Sequence, residues 1–212
     1  MERRTARRWA QVGVMAAALG VGLLSGCGGD DDDKSPQAVD PGITELAAHD
    51  GVACPDKLPR AEGPDTGLGG DTPAGGTPEL QNVEEAWICE YAARDLAPGP
   101  EGDGDPFEWV LTGQATPVDP SLIQDLKVSL SELAPPASDL ICTADLGPKW
   151  LLSYSTGGDL TGVTVDDFGC RSVRLTDEPF ETVPGAASTG GMVQGYLSGP
   201  DTLLERIKAA TR

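Results

Sequence analysis

Val12 to Leu24 is a run of 13 residues without a charge, preceded by Arg3, Arg4, Arg7 and Arg8 and followed by the small pair Ser25-Gly26. A membrane-spanning helix needs about 20 apolar residues, so the run is too short for a permanent span. A basic start, an apolar middle and a small-residue end form instead the pattern of an export signal. Trp9-Ala10 stands after Arg7-Arg8 where a twin-arginine signal would carry a hydrophobic pair, which favours general secretion. This one feature constrains the fold of everything downstream. Whatever follows folds outside the cytoplasm, where cysteines oxidise in pairs. Composition then divides the chain into a signal peptide (1–26), a flexible acidic tether (27–48), a loosely structured arm (49–83) and a folded domain (84–212).

Leu24-Ser25-Gly26-Cys27 resembles the lipobox of bacterial lipoproteins at all four positions, and it stands directly after the apolar run. The resemblance implies cleavage before Cys27, a diacylglycerol thioether on its sulfur and an acylated amino group, palmitate being a typical chain. Two or three acyl chains hold a protein on a bilayer where one does not, at about 0.8 kcal/mol per buried CH₂. The implied partner is the cell membrane and the implied location its extracytoplasmic face. A core or disulfide-bonded Cys27 is the alternative, and Gly26, Gly28 and Asp30–Asp33 around it make a poor core position.

With Cys27 set aside, Cys54, Cys89, Cys142 and Cys170 remain, an even set that reads as two disulfides in an exported domain. Three connectivities are open. Cys54–Cys89 with Cys142–Cys170 is the expected pair, closing separations of 35 and 28 residues. A metal site is the rival, but the sequence has no C-x₂-C pair and His49 is its only histidine. No metal or cofactor is expected.

The formal charge is −19, of which residues 1–26 contribute +3, so the remainder carries −22. Binding a phosphate backbone needs clustered Lys and Arg, so nucleic acid is excluded as a partner. The aspartates after Cys27 suit a solvated spacer. Residues 28–48 as flexible chain have a root-mean-square span of roughly 25 Å and a fully stretched reach of about 70 Å. Ala61–Pro78, rich in Gly and Pro, reads as a second irregular stretch that a disulfide at Cys54 would pin.

Beyond it the apolar spacing predicts an α+β domain: a small antiparallel sheet of about 4–5 strands with two amphipathic helices. Glu84–Arg94 alternates, with Trp87, Cys89 and Tyr91 on one face, and Phe107, Trp109 and Leu111 repeat the alternation, which predicts a hairpin around an acidic loop. Asp119-Pro120 is a helix start, and Leu122, Leu126, Leu130 and Leu133 form one stripe, broadened by Ile123 and stopped by Pro135-Pro136. Lys149–Ser155, the turn Thr156–Asp159, Thr161–Asp167 and Cys170–Leu175 read as three further strands. Ser198–Asp201 resembles a capping box opening a last helix, with Leu203, Leu204 and Ile207 inward.

No catalytic constellation stands out. No serine has a lysine three residues later, and Gly195–Gly199 has the wrong spacing for a G-x-S-x-G elbow; Ser198 reads better as a helix cap. His49 reads as a solvated loop residue. Glu101, Asp103 and Asp105 suggest a calcium loop, but Pro106 and Thr112 stand where an EF-hand needs Gly and a bidentate Glu. Carboxylates such as Glu90 and Asp166 are candidates for glycoside chemistry only because an acidic domain has many. Trp87, Trp109 and Trp150 lie in strand patterns and read as core rather than as a sugar-stacking platform.

The segments "LLSGC", "WICEY" (Trp87–Tyr91), "WLLSYS" (Trp150–Ser155) and "DFGCRSV" (Asp167–Val173) resemble those of small actinobacterial lipoproteins whose mature domain carries four cysteines. The resemblance implies topology rather than chemistry. The expected function is therefore a non-enzymatic, membrane-anchored domain that binds an envelope protein or wall component. A wall hydrolase using carboxylates alone is the alternative. A transporter's solute-binding subunit is a further one, for which about 160 folded residues leave little room for two lobes.

Overall fold

A computed structural model of the chain describes residues 43–61, 67–69, 72–96, 107–137, 147–186 and 191–212. The signal peptide, Cys27, Cys142 and the acidic loop with Glu101, Asp103 and Asp105 lie outside them. The fold is α+β, as expected, but the sheet is larger. Among the described residues it has seven strands: β1 (Glu85–Asp95), β2 (Phe107–Leu111), β3 (Thr116–Pro117), β4 (Lys149–Thr156), β5 (Asp159–Asp166), β6 (Ser172–Thr176) and β7 (Leu197–Ser198). Their order is β2-β1-β4-β5-β6-β7, β3 pairs with β1, and every pairing of these strands is antiparallel. The strands absent from the sequence reading are β3 and β7, two residues each, too short to show an alternation.

β4 and β5 form the centre, joined by a two-residue turn in which Gly157 (φ 63°) and Gly158 (φ 94°) are both left-handed. A turn of this hand matches the twist of the flanking strands, and glycine reaches it without strain. Helices α2 (Pro120–Ser131) and α3 (Asp201–Ala209) cover one face. Asp119 caps α2 as expected, its side chain accepting from the Ser121 N–H at 2.8 Å. Leu126 and Leu130 face the core and Leu133 follows just beyond the helix, but Leu122 is 36% exposed and Ile123 takes its place. Leu203, Leu204 and Ile207 of α3 are buried as expected. The expected capping box is absent: the N-cap is Pro200, with no side-chain cap bond, and Ser198 sits in β7 bonded to the Ala134 backbone.

The other face is covered by the arm rather than by helices. Cys54, Leu58 and Leu68 are buried against Cys89, Tyr91, Trp109 and Leu151. The Leu58 N–H donates to the Trp109 carbonyl and the Leu111 N–H to the Asp56 carbonyl, so the arm also closes the outer edge of β2. The arm's described residues form no helix or strand, yet burying Leu58 and Leu68 and pairing the backbone with β2 both lower its free energy. The described residues also include 43–48, within the stretch read as tether. Glu45–Ala48 form a one-turn helix, α1, capped by Thr44 and packed on β5.

Cys54–Cys89 forms, with its Cα atoms 6.5 Å apart. It is the one disulfide with both partners among the described residues, where two were expected. Cys170 is also disulfide-bonded. Among the described residues no helix is long and apolar enough to cross a membrane.

Candidate functional site

β5 begins beside the loop that leaves β6, and α1 lies across the gap between them. Together they enclose a cleft of about 490 Å³ lined by Glu45, His49, Asp159, Asp177, Glu178 and Glu181, with Ile43, Gln81, Thr156 and Leu160 completing the wall. The acids gather here for a topological reason. Asp159 closes the β4–β5 turn, Asp177 and Glu178 open the loop after β6, and antiparallel pairing of β5 with β6 brings these two ends together.

Glu45 is the most perturbed carboxyl among the described residues. Half burial pushes it up to about 7; the Leu160 N–H, donating to its Oε2 at 2.9 Å, opposes that rise, and Glu178, Asp159 and Asp177 reinforce it. Among the described residues no lysine or arginine lines the cleft. His49, expected as a solvated loop residue, stacks on Phe180 with ring centroids 3.6 Å apart and planes 10° apart. An anionic, half-open cleft of this kind can receive a cationic group. A carboxyl held near neutrality can also exchange a proton.

Asp166, by contrast, is a structural residue. It bridges Lys149, in close contact, and Arg174 Nη1 at 3.3 Å. Lys149 Nζ lies 4.7 Å from the Trp109 ring centroid, and Arg174 Nε donates to the Gly69 carbonyl at 3.2 Å. Burial holds the Lys149 ammonium below its usual range. Two cations share one carboxylate in a site with side-chain exposures of 4%, 5% and 15%. Glu90 stands opposite Trp150 and Asp166 opposite Lys149, adjacent positions of β4, so the two carboxylates project from opposite faces of the sheet. Trp109 and Trp150 are buried and Trp87 packs at the edge of the arm-side core, as expected of core residues. Among the described residues no three His, Cys, Asp or Glu side chains are grouped to hold a metal ion.

Sequence reasoning had not brought Glu45, Asp159, Asp177 and Glu178 together. Glu45 lies more than 110 residues from the other three; the pairing of β5 with β6 gathers Asp159, Asp177 and Glu178, and the packing of α1 on β5 adds Glu45. No family model matches the chain, and neither the curated proteins nor the solved structures hold a match to it.

Proposed function

We propose that the protein is a lipid-anchored, extracytoplasmic lipoprotein of the actinobacterial type, whose domain binds a partner at the cell envelope and is not an enzyme. The observation that carries the anchor is Leu24-Ser25-Gly26-Cys27 directly after a 13-residue uncharged run. The binding role draws on the cleft, whose lining gathers Glu45, Asp159, Asp177, Glu178 and Glu181 and suits an amine or guanidinium on an envelope protein or wall component. Within this reading Cys142 pairs with Cys170, completing the second disulfide.

The anchor is tested with Cys27→Ala: the variant is expected in the soluble fraction, and membrane association equal to wild type would overturn it. Non-reducing peptide mapping is expected to recover a Cys142–Cys170 peptide, and an alkylated Cys142 would remove that pairing. Crosslinking from intact cells is expected to recover a reproducible partner that is lost on Asp177→Lys/Glu178→Lys.

One observation favours a second reading, a carboxylate-only wall hydrolase. Glu45, pushed up to about 7 beside Glu178, has the protonation behaviour of a general acid. Release of soluble fragments from purified wall by wild type but not by Glu45→Gln would select it.

A further inference from the structure

The packing of α1 points to a proton-operated latch. We propose that Thr44–His49 docks on β5 when Glu45 is neutral and swings away when Glu45 ionises, with Asp50–Val52 as the hinge and Cys54 as the stop.

The geometry starts at the edge of the sheet. β6 accompanies β5 only as far as Gly162↔Thr176, and beyond that point no strand among the described residues bonds the Leu160 N–H. Glu45 Oε2 takes that bond at 2.9 Å, so a side chain stands in for the missing continuation of β6. A carboxyl accepts it in either protonation state, but only the anion is opposed by what surrounds it. Asp159 faces it from β5, and Asp177 and Glu178 from the loop after β6; Glu181 lines the same cleft. The β4–β5 turn, Thr156 to Asp159, carries neither lysine nor arginine, and its Gly157 N–H donates to the Glu84 carboxylate. On the latch itself the other titratable group is His49, which lines the same cleft.

Little else holds α1 down. The Leu46 N–H donates to the Gly158 carbonyl at 3.0 Å, the Thr44 side chain rests on Gly158, and His49 stacks on Phe180. None of the residues of α1 is fully buried. The hinge follows at once. Asp50 (φ 54°) and Gly51 (φ 78°) are left-handed, and Val52 is 49% exposed. Ala53 and Cys54 are buried, and Cys54 is bonded to Cys89. Release therefore ends at the disulfide and frees Ile43–Ala53, which fully extended spans roughly 35 Å. In a chain held by lipid at Cys27, a consequence that rests on the proposal above, the tether lengthens by that amount and the cleft opens together.

The sign follows from the burial of the carboxyl. Its folded value near 7 lies above its ordinary 4.5, so docking is fully favoured below about 4.5 and is lost as pH rises toward 7.

Hydrogen exchange of the exported full-length protein tests this, at about pH 5 and about pH 8 with each rate normalised to its intrinsic value. The Leu46 and Leu160 amides are expected to lose at least about tenfold in protection at the higher pH while β4 amides keep theirs. Glu45→Gln keeps the acceptor without the charge and is expected to hold its low-pH protection at both values. Asp177→Asn/Glu178→Gln, which leaves Glu45 in place, is expected to shrink the pH-dependent loss of protection, since fewer anions then oppose ionisation of the docked carboxyl. Equal protection of the wild type at both pH values overturns the latch, as does a Glu45→Gln chain that still loses protection on raising pH. The measurement needs no lipid, so a failed latch leaves the anchor standing and a failed anchor leaves the latch standing.

Discussion

The face of the sheet under α2 and α3 is closed by Ile88, Leu152, Val163, Val173 and their neighbours against helical leucines. The face under the arm buries Lys149, Asp166 and Arg174 beside Trp109, Tyr91 and a disulfide. Helices satisfy their own backbone and need only an apolar stripe to cover a sheet. An irregular arm brings unpaired N–H and C=O groups, so the surface it covers must supply polar partners. The Arg174 guanidinium on the Gly69 carbonyl and the Tyr91 hydroxyl on the Pro55 carbonyl, at 2.7 Å, are such partners. Apolar packing and polar matching thus divide one sheet between them.

The largest effect is expected where that matching depends on one charge. Asp166→Ala leaves Lys149 and Arg174 buried without their carboxylate, at a cost of about 3–5 kcal/mol. Replacing all three together, as Lys149→Met/Asp166→Leu/Arg174→Met, is expected to recover most of that stability, because no unpaired charge remains. Urea unfolding of both variants checks the contrast. A triple variant as unstable as Asp166→Ala would mean that the arm side is closed by shape rather than by charge.

The disulfide comes next. Cys54→Ala/Cys89→Ala removes a cross-link over 35 residues, and the expected loss is about 3 kcal/mol. It is also expected to be uneven. Limited proteolysis should cut first within 53–69, on the arm side, while the β4 and α3 peptides remain intact. Simultaneous cutting on both faces would show that the sheet unfolds as one unit and that the arm has no separate stability.

The same division explains what was legible in the sequence. β1, β2, β4, β5 and β6 announce themselves by alternation or by a Gly-Gly turn, and α2 and α3 by stripes at helical spacing. These signals are local. Leu68, in a Gly/Pro-rich stretch with no period, carries no local sign that it is fully buried, and neither does Glu45 that it completes a sheet edge. Both are placed by partners far away in the chain. The candidate cleft is assembled in the same way, which is why its acids look like any others when read in order.

The smallest effect is expected at Leu122, which the stripe of α2 makes equivalent to Leu126. Leu122 and Leu126 are one helical turn apart, yet Leu126 is 1% exposed and Leu122 36%. The reason is position along the helix: Leu122 lies in its first turn, where Ile123 and not Leu122 packs against the core cluster. Leu126→Ala should therefore cost about 2–5 kcal/mol through a cavity on the helix-covered face. Leu122→Gln should stay within about 0.5 kcal/mol of wild type, as surface substitutions do. Thermal unfolding of the two variants measures the difference directly. A Leu122→Gln chain destabilised as much as Leu126→Ala would place Leu122 under a covering surface, and the helix-covered face would then extend beyond the elements that close it here.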